Sequence, residues 1–258
     1  MTLRVILIAL AMFSSCATMR HDETGFLNRS LTLNGHEYRY VVYVPREFER
    51  AREWPVILFL HGAGERGSDG MKATQVGIGT AIRFDPARVP AIVVFPQVPE
   101  DERWIGEPAD AAIAAVDHAT AEFHGDRART YLTGLSMGGY GTLHIALANP
   151  HRFAALVPIC GGLLPHPTAT SVAKSPLIPD DVDPYLFVAN ALHTTPIWIF
   201  HGADDPVIPV QESRQLAAAF KAVNDDVHFT EYPGTGHNAW DKAYAEADLW
   251  SWLFRQRH

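Results

Sequence analysis

The sequence has few cysteines, no long hydrophobic run and no block of like charge. Two cysteines, Cys16 and Cys160, are too few for a fold held together by disulfides. The apolar run near the N-terminus, residues 5–13, is too short for a stable membrane span. A net charge of −8 argues against a surface for nucleic acid or for an anionic membrane. A hydrophobic content of 47% is that of a globular protein with a substantial core.

The N-terminus has the organisation of an export signal. Arg4 precedes the apolar run 5–13, and small residues around Cys16 follow it. We therefore predict an export signal at 1–16, a polar tether at 17–28, and delivery to the periplasm or the cell exterior. The segment resembles a bacterial lipoprotein signal, in which Cys16 would be lipidated and would tether the protein to the membrane. A plain secretory signal is the alternative, and the residues alone leave both open.

Residues 29–258 predict a single α/β domain. Asn34-Gly35 between two alternating runs indicates an antiparallel hairpin. Further strands are predicted at 56–60, 91–95, 154–160, 197–200 and 227–232, and helices at 110–123, 212–223 and about 240–254. This alternation predicts a mostly parallel, twisted sheet covered by helices on both faces, with the hairpin at its edge. Segment 161–195 does not fit this alternation of strands and helices. We interpret it as an insert, either a lid or a surface excursion.

Residues 131–141 read YLTGLSMGGYG, a short apolar run followed by a Gly-x-Ser-x-Gly turn and a helical stretch. That order places Ser136 at a sharp corner, where its hydroxyl is exposed and the N–H of Met137 points into the same space. The flanking glycines remove the Cβ atoms that would clash in so tight a turn. Ser136 is therefore the predicted nucleophile, and the alternative is a serine that only caps a helix.

A serine nucleophile needs a base and a carboxylate to orient that base, and both types of residue follow later strands. Asp204 and Asp205 come after the apolar strand 196–200, and His237 comes after the strand 227–232. The chain order Ser, Asp, His is the order found in α/β-hydrolases. Taken singly, the aspartates could form a solvated turn and His237 could be a surface histidine.

The loop HGAGERG (61–67) follows the strand 56–60 and is rich in small residues. Such a backbone can approach a substrate closely, so we expect this loop and the N–H of Met137 to form an oxyanion hole. A phosphate-binding loop would need Lys followed by Ser or Thr, and this loop has neither. His61 and His201 precede glycines at strand ends without the spacing of metal ligands, so no metal and no organic cofactor are predicted.

Several of these segments together resemble the small secreted serine esterases of the α/β-hydrolase superfamily. That group includes polyhydroxybutyrate-depolymerase-like, feruloyl-esterase-like and dienelactone-hydrolase-like proteins. The matching segments are LHGAGERG (60–67), YLTGLSMGGYGT (131–142), FAALVPICGG (153–162), IFHGADDPVIP (199–209) and YPGTGHNAWDKAY (232–244). The resemblance implies an α/β-hydrolase fold, with Asp205 as the acid ahead of Asp204 and His237 as the base. It also implies the N–H of Ala63 as the second oxyanion donor.

The expected function is hydrolysis of a carboxylic ester, small or attached to a polymer, through an acyl-enzyme on Ser136. A serine peptidase of the prolyl-oligopeptidase type is the alternative, although such peptidases usually carry a large additional domain for which this chain has no room. A hydrolase-like protein that only binds is a third reading. Trp104 and Trp240 lie near the expected cleft and could stack on a substrate, with core packing as the alternative for each.

Overall fold

The computed structural model describes residues 23–224 and 226–258. The predicted export signal with Cys16 lies outside the described residues. The strands are β1 (Gly25–Leu33), β2 (His36–Val44), β3 (Trp54–Leu60), β4 (Ile92–Pro96), β5 (Gly125–Leu135), β6 (Ala155–Ile159), β7 (Ile197–Gly202) and β8 (Val227–Tyr232). The α-helices are α1 (Ile78–Phe84), α2 (Glu107–Glu122), α3 (Met137–Ala148), α4 (Pro184–Ala191), α5 (Gln211–Lys221), α6 (Trp240–Ala245) and α7 (Ala247–Leu253). Within this part of the chain, no helix is both long and apolar enough for a membrane crossing.

The eight strands form one sheet in the order β1-β2-β4-β3-β5-β6-β7-β8. β1 and β2 are antiparallel, β2 is antiparallel to β4, and the remaining neighbours are parallel. Asn34 and Gly35 join β1 to β2 with φ angles of 49° and 89°, the left-handed values that a two-residue hairpin turn requires. The predicted α/β fold, with its mostly parallel sheet and antiparallel N-terminal hairpin, is confirmed.

The folded domain begins earlier in the chain than the predicted boundary at residue 29. β1 begins at Gly25, so the last residues of the predicted tether 17–28 belong to the sheet. Leu27 pairs with Val42, and the ring of Phe26 lies 5.1 Å from that of Tyr43. These contacts give the segment a partner strand, which its polar composition does not reveal.

Two hydrophobic layers enclose the sheet. Along β3, Val56, Leu58 and Leu60 face one layer, and Ile57 and Phe59 face the other. The first layer contains the buried residues of α2, α3, α4 and α5, whereas the second contains those of α1, α6 and α7. The near-continuous apolar sequence of β3 follows from burial on both faces.

Two elements differ from the sequence prediction. The closing helix predicted at about 240–254 breaks at Glu246, whose ψ of 117° is extended. The indole N–H of Trp250 donates to Tyr244 O at 3.1 Å and so takes a carbonyl that an unbroken helix would use itself. Insert 161–195 contains the helix α4, whose first turn is capped by the Asp183 carboxylate.

Candidate active site

Ser136 occupies the corner between β5 and α3. Its φ of 54° lies in the left-handed region, which a residue other than glycine adopts only at a cost in energy. The Ser136 N–H donates to Ile159 O at the end of β6 at 2.9 Å and ties the corner to the sheet. A Cβ on Gly138 would lie 2.0 Å from Leu60 O, so glycine is what lets α3 begin this close to β3. The predicted nucleophile is therefore held at the carboxyl end of the parallel strands.

The structure brings the three predicted triad side chains into one hydrogen-bonded line. Ser136 Oγ lies 2.8 Å from His237 Nε2, and His237 Nδ1 lies 2.7 Å from Asp205 Oδ2. A carboxylate only accepts hydrogen bonds, so Nδ1 carries the proton and Nε2 accepts the Ser136 hydroxyl proton. The Asp205 side chain is completely buried, whereas that of His237 is 20% exposed. His237 therefore reaches solvent, while its carboxylate partner does not.

The Asp205 carboxylate is held at both of its oxygens. Oδ1 accepts hydrogen bonds from Val207 N at 2.8 Å and from Ile208 N at 3.0 Å. Oδ2 accepts from His237 and also lies 3.2 Å from Nε2 of the buried His201. Burial alone would raise the pKa of Asp205, but the hydrogen bonds from His201 and His237 hold it well below its usual range. The carboxylate therefore remains ionised beside the base.

Backbone contacts join the loop that carries the acid to the loop that carries the histidine. Asp204 N donates to Thr235 O at 3.0 Å. A Cβ on Gly202 would lie 2.1 Å from Gly236 O, so the close packing of the two loops needs glycine at position 202. The spacing between the carboxylate and the imidazole is therefore set by the backbone as well as by the side chains.

The predicted oxyanion loop passes directly over the nucleophile. A Cβ on Gly62 would lie 3.6 Å from Cβ of Ser136. Ala63 begins a short 3-10 helix and Met137 begins α3, and the first N–H groups of a helix have no partner inside that helix. Arg66 Nε donates to Ala63 O at 3.0 Å and braces the turn. Gly62 therefore lies beside the serine, and the oxyanion role of the Ala63 and Met137 N–H groups stays a prediction.

His61, which precedes the oxyanion loop, orients the peptide that carries the Ala63 N–H. Val98 N donates to His61 Nε2 at 3.0 Å, so Nδ1 carries the proton and donates to Gly62 O at 2.6 Å. Gly62 O and Ala63 N belong to one trans peptide and point in opposite directions. Burial lowers the pKa of His61 to about 4, so the imidazole stays neutral near neutral pH.

The two tryptophans predicted to stack on a substrate differ in exposure. Trp104 is 1% exposed, its indole N–H donates to His61 O at 3.0 Å, and its ring covers Gly141. This burial favours the core-packing alternative for Trp104. Trp240 is half-buried and meets the His237 ring edge-on, with 5.5 Å between the ring centroids. Contact of Trp240 with a substrate stays a prediction.

One group of potential metal ligands lies beside the triad. Cys160, His201 and Asp205 have ligand atoms within 4.8 Å of one another, the only such group in the described ranges 23–224 and 226–258. Hydrogen bonds already engage both nitrogens of His201 and both oxygens of Asp205. Burial also raises the pKa of Cys160 to about 12, which disfavours the thiolate that binds metals. The chemistry of the group therefore fits a hydrogen-bond network better than a metal site.

Sequence comparisons identify a family and individual relatives that match this chain. The profile of the phospholipase/carboxylesterase family matches residues 86–248, more than half of the chain, and this span includes all three triad positions. Acyl-protein thioesterase 1 of Gibberella zeae is 29% identical over 111 residues, which are 43% of this chain and 42% of that protein. A probable feruloyl esterase C of Aspergillus terreus is 23% identical over 82% of this chain and 69% of its own length.

A solved structure of a thermostable esterase has the same fold. It superposes with a TM-score of 0.75 at 30% sequence identity, over 90% of this chain and 63% of that chain. The matches span less than two thirds of this esterase and of the Gibberella thioesterase. The predicted resemblance to α/β-hydrolase esterases is confirmed by the family profile and by these relatives. The chain therefore belongs to the phospholipase/carboxylesterase family of α/β-hydrolases.

Proposed function

We propose that this protein hydrolyses carboxylic esters, with Ser136 as the nucleophile, His237 as the general base and Asp205 as the orienting acid. The observation that carries the proposal is the unbroken hydrogen-bonded line from Ser136 Oγ through His237 to Asp205 Oδ2. Three residues that are distant in sequence lie together, and His237 has the tautomer that base catalysis needs. The backbone of Ser136 is strained at the same point.

Acylation begins when Ser136 Oγ attacks the ester carbonyl carbon and its proton passes to His237 Nε2. The carbonyl oxygen becomes an oxyanion, which the N–H groups of Ala63 and Met137 would stabilise, at about 3 kcal/mol for each donor. The carbon–oxygen bond to the alcohol then breaks, and His237 returns its proton to the departing alkoxide. Asp205 remains an anion throughout and stabilises the imidazolium that forms between these steps.

Deacylation repeats these steps with water as the nucleophile. His237 Nε2 removes a proton from the water, whose oxygen attacks the acyl carbon, and the same proton then returns to Ser136 Oγ as the acid leaves. The names of the relatives point to ester and thioester substrates: a feruloyl esterase, a thioesterase and a thermostable esterase. We therefore expect an ester or thioester, small or attached to a polymer, in preference to a peptide.

The test is covalent labelling by a fluorophosphonate probe followed by a substrate panel. Wild type should be labelled once per chain, Ser136→Ala should not, and Ser30→Ala should match wild type because Ser30 is an exposed residue of β1. Rates would then be compared for p-nitrophenyl esters, a thioester, a feruloyl ester and a matched anilide. Failure of wild type to label would favour a binding protein, and faster cleavage of the anilide than of the ester would favour a peptidase.

We also propose that residues 1–16 direct export, with lipidation of Cys16 as one form of the processed protein. The support is the sequence pattern of a charged residue, a short apolar run and small residues before the cysteine. Labelled palmitate should enter the wild type and not Cys16→Ser if the lipoprotein form is made. Release of an unlabelled, shortened protein would favour the plain secretory signal, and retention of the full chain in the cytoplasm would contradict export.

A further inference from the structure

His201 is a buried histidine at the end of β7 that no step of the proposed mechanism uses. Its side chain is 0% exposed and contacts the acid of the triad. Nε2 lies 3.2 Å from Asp205 Oδ2 and 3.0 Å from Ile208 O, and Nδ1 lies 2.7 Å from Ser213 Oγ. A histidine that only filled the core would not need three polar partners, one of them the catalytic carboxylate.

The partners of His201 determine which of its nitrogens carries the proton. A carboxylate and a backbone carbonyl can only accept, so Nε2 must carry a hydrogen and share it between Asp205 Oδ2 and Ile208 O. The neutral ring then has a lone pair at Nδ1, which accepts the hydroxyl proton of Ser213. Ser213 is 1% exposed, so water cannot readily replace it as the donor to Nδ1. The acceptors at Nε2 therefore set the tautomer, and the Ser213 hydroxyl stabilises it by supplying the donor that Nδ1 needs.

We propose that His201 is a positioning residue for the candidate triad, acting through Asp205. A line of close polar contacts runs from Ser213 through His201 and Asp205 to His237 and ends at Ser136 Oγ, with 3.2 Å between His201 Nε2 and Asp205 Oδ2. This inference rests on the proposed function, because it assigns His201 a role in the same reaction.

The physical role of His201 follows from what Asp205 Oδ2 must do during the reaction. When His237 becomes an imidazolium, its Nδ1 proton could move onto Asp205 Oδ2 if that oxygen had no second donor. The N–H of His201, on the same oxygen, stabilises the negative charge there and opposes that transfer. The backbone N–H groups of 207–208 hold Oδ1, and the N–H of His201 holds Oδ2. Together they restrict rotation of the carboxylate about its Cβ–Cγ bond. His201 thereby keeps Asp205 both ionised and aligned with His237.

The test compares two substitutions that differ in whether a donor remains. His201→Phe keeps a planar ring but removes the donor. We expect kcat for a p-nitrophenyl ester to fall about 10- to 100-fold, by analogy with the loss seen when the hydrogen-bond partners of metal-binding side chains are removed. KM should change by less than about twofold, because no substrate contact is lost. His201→Gln keeps an amide N–H close to the Nε2 position and should recover kcat to within about threefold of wild type.

The matched control is His144→Phe. His144 is also a buried histidine paired with a serine, with Nδ1 2.7 Å from Ser175 Oγ, but it lies in α3 and is paired with neither Asp205 nor His237. This variant should keep kcat within about twofold of wild type even if its stability falls. A loss of kcat equal to that of His201→Phe would mean that general damage to the core explains both, which would overturn the proposal.

A spectroscopic readout separates positioning from folding and needs no substrate. The proton between His237 Nδ1 and Asp205 Oδ2 gives a strongly deshielded proton resonance when the hydrogen bond is short and ordered. We expect this resonance in wild type, His201→Gln and His144→Phe, and its shift or loss in His201→Phe. A folded His201→Phe with an unchanged resonance and wild-type kcat would overturn the proposal, as would His201→Gln behaving like His201→Phe.

If His201→Phe does not fold, Ser213→Ala carries the test. It removes the donor to Nδ1 and should lower kcat several-fold at unchanged KM and alter the resonance, whereas an unchanged kcat and resonance would overturn the proposal. The failure of the proposed function looks different: wild type would then hydrolyse no ester in the panel. The resonance would still report whether His201 orders the contact between Asp205 and His237.

Discussion

Asp204 and Asp205 are adjacent acids in one loop, and their side chains have opposite surroundings. The Asp204 residue is exposed, whereas the Asp205 side chain is 0% exposed and faces His237. The backbone turn at 205–208 brings two N–H groups onto one carboxylate oxygen and leaves the other oxygen for imidazoles. Only one of the two neighbours can therefore orient the base, and the structure favours Asp205 over Asp204.

Substituting each aspartate tests this difference directly. Asp205→Asn replaces a carboxylate by an amide that can present its NH₂ to the ring and stabilise the wrong tautomer of His237. We expect kcat to fall roughly 10³- to 10⁴-fold while the fold is kept. Asp204→Asn should stay within about twofold of wild type, because its side chain faces solvent. Steady-state kinetics on one ester would measure both, and equal losses in the two variants would contradict the assignment.

Stability at acid pH should depend on His61. Burial lowers its pKa from 6.5 to about 4. Between these two pH values, His61 is protonated in the unfolded chain and neutral in the folded protein. The stability linked to His61 is therefore complete above about pH 6.5 and is lost as the pH falls toward 4, by about 3 kcal/mol in all.

Urea denaturation at pH 7 and pH 4.5 would measure that loss. His61→Phe should be less stable than wild type at pH 7, because Val98 N and Gly62 O lose their partner. Its free energy of unfolding should nevertheless fall less steeply toward pH 4.5 than that of wild type, since phenylalanine binds no proton. Parallel pH dependences of the two proteins would show that His61 is not the group responsible.

At the scale of elements, the strand–turn–helix corner depends on two backbones that almost touch. A Cβ on Gly138 would lie 2.0 Å from Leu60 O, and one on Gly64 would have no heavy atom within 4 Å. We expect Gly138→Ala to lower the free energy of unfolding by at least about 3 kcal/mol or to prevent soluble expression. Gly64→Ala is the matched control and should change stability by less than about 0.5 kcal/mol. Chemical denaturation of both proteins would decide, and a stable Gly138→Ala variant would contradict the packing.

Insert 161–195 is held to α5 through one carboxylate. Glu212 Oε2 accepts from Leu163 N at 2.8 Å and from Leu164 N at 3.3 Å, and Oε1 accepts from Tyr185 OH at 2.9 Å. This anchor joins the beginning of the insert to its helix α4, although the two segments are far apart along the insert. The lid and the surface excursion predicted from the sequence both remain compatible with such an anchor.

Removing the anchor should loosen the insert more than the rest of the fold. We expect Glu212→Ala to lower the free energy of unfolding by about 2 kcal/mol. Trypsin should also cut after Lys174, within the insert, faster than in wild type. Gln211→Ala, one residue earlier and exposed, is the control and should match wild type in both measurements. Unchanged proteolysis of Glu212→Ala would mean that other contacts hold the insert.

At the scale of the whole molecule, the sheet has an antiparallel edge that begins close to the N-terminus of the described chain. β1 pairs with β2 along the whole of both strands, from Gly25 opposite Val44 to Leu33 opposite His36. Arg29 on β1 also forms an ion pair with Glu122 at the end of α2, at 2.7 Å. The edge strand therefore covers the backbone groups of β2 and is linked to the helical layer.

Two truncations test the boundary of the domain. A chain that begins at Glu23 should be soluble and monodisperse and should unfold at the same temperature as the chain without an N-terminal deletion. A chain that begins at Gly35 lacks β1 and leaves the β2 edge unpaired, so we expect aggregation or a large loss of stability. Size-exclusion chromatography and thermal unfolding would compare them, and a stable protein without β1 would mean that the domain does not need this strand.

Local patterns in the sequence were sufficient to predict the alternation of strands and helices, the Asn34-Gly35 hairpin and the corner at Ser136. Each of these depends on spacing within a few residues, where backbone sterics and burial periodicity leave a direct signature. His237 and the pair Asp204 and Asp205 could be identified as candidates for the same reason, because each follows a strand end.

Only the tertiary structure decided which candidates meet and what supports them. His237 contacts Ser136 across 101 positions of sequence and Asp205 across 32, and such contacts depend on the order of strands in the sheet. The contacts of His201 with Asp205 and of His61 with Gly62 and Val98 could not be predicted, since both histidines look like ordinary residues before a glycine at a strand end. The signal that the sequence offers is their position directly after an apolar strand. Their hydrogen bonds join distant loops and exist only once the chain has folded.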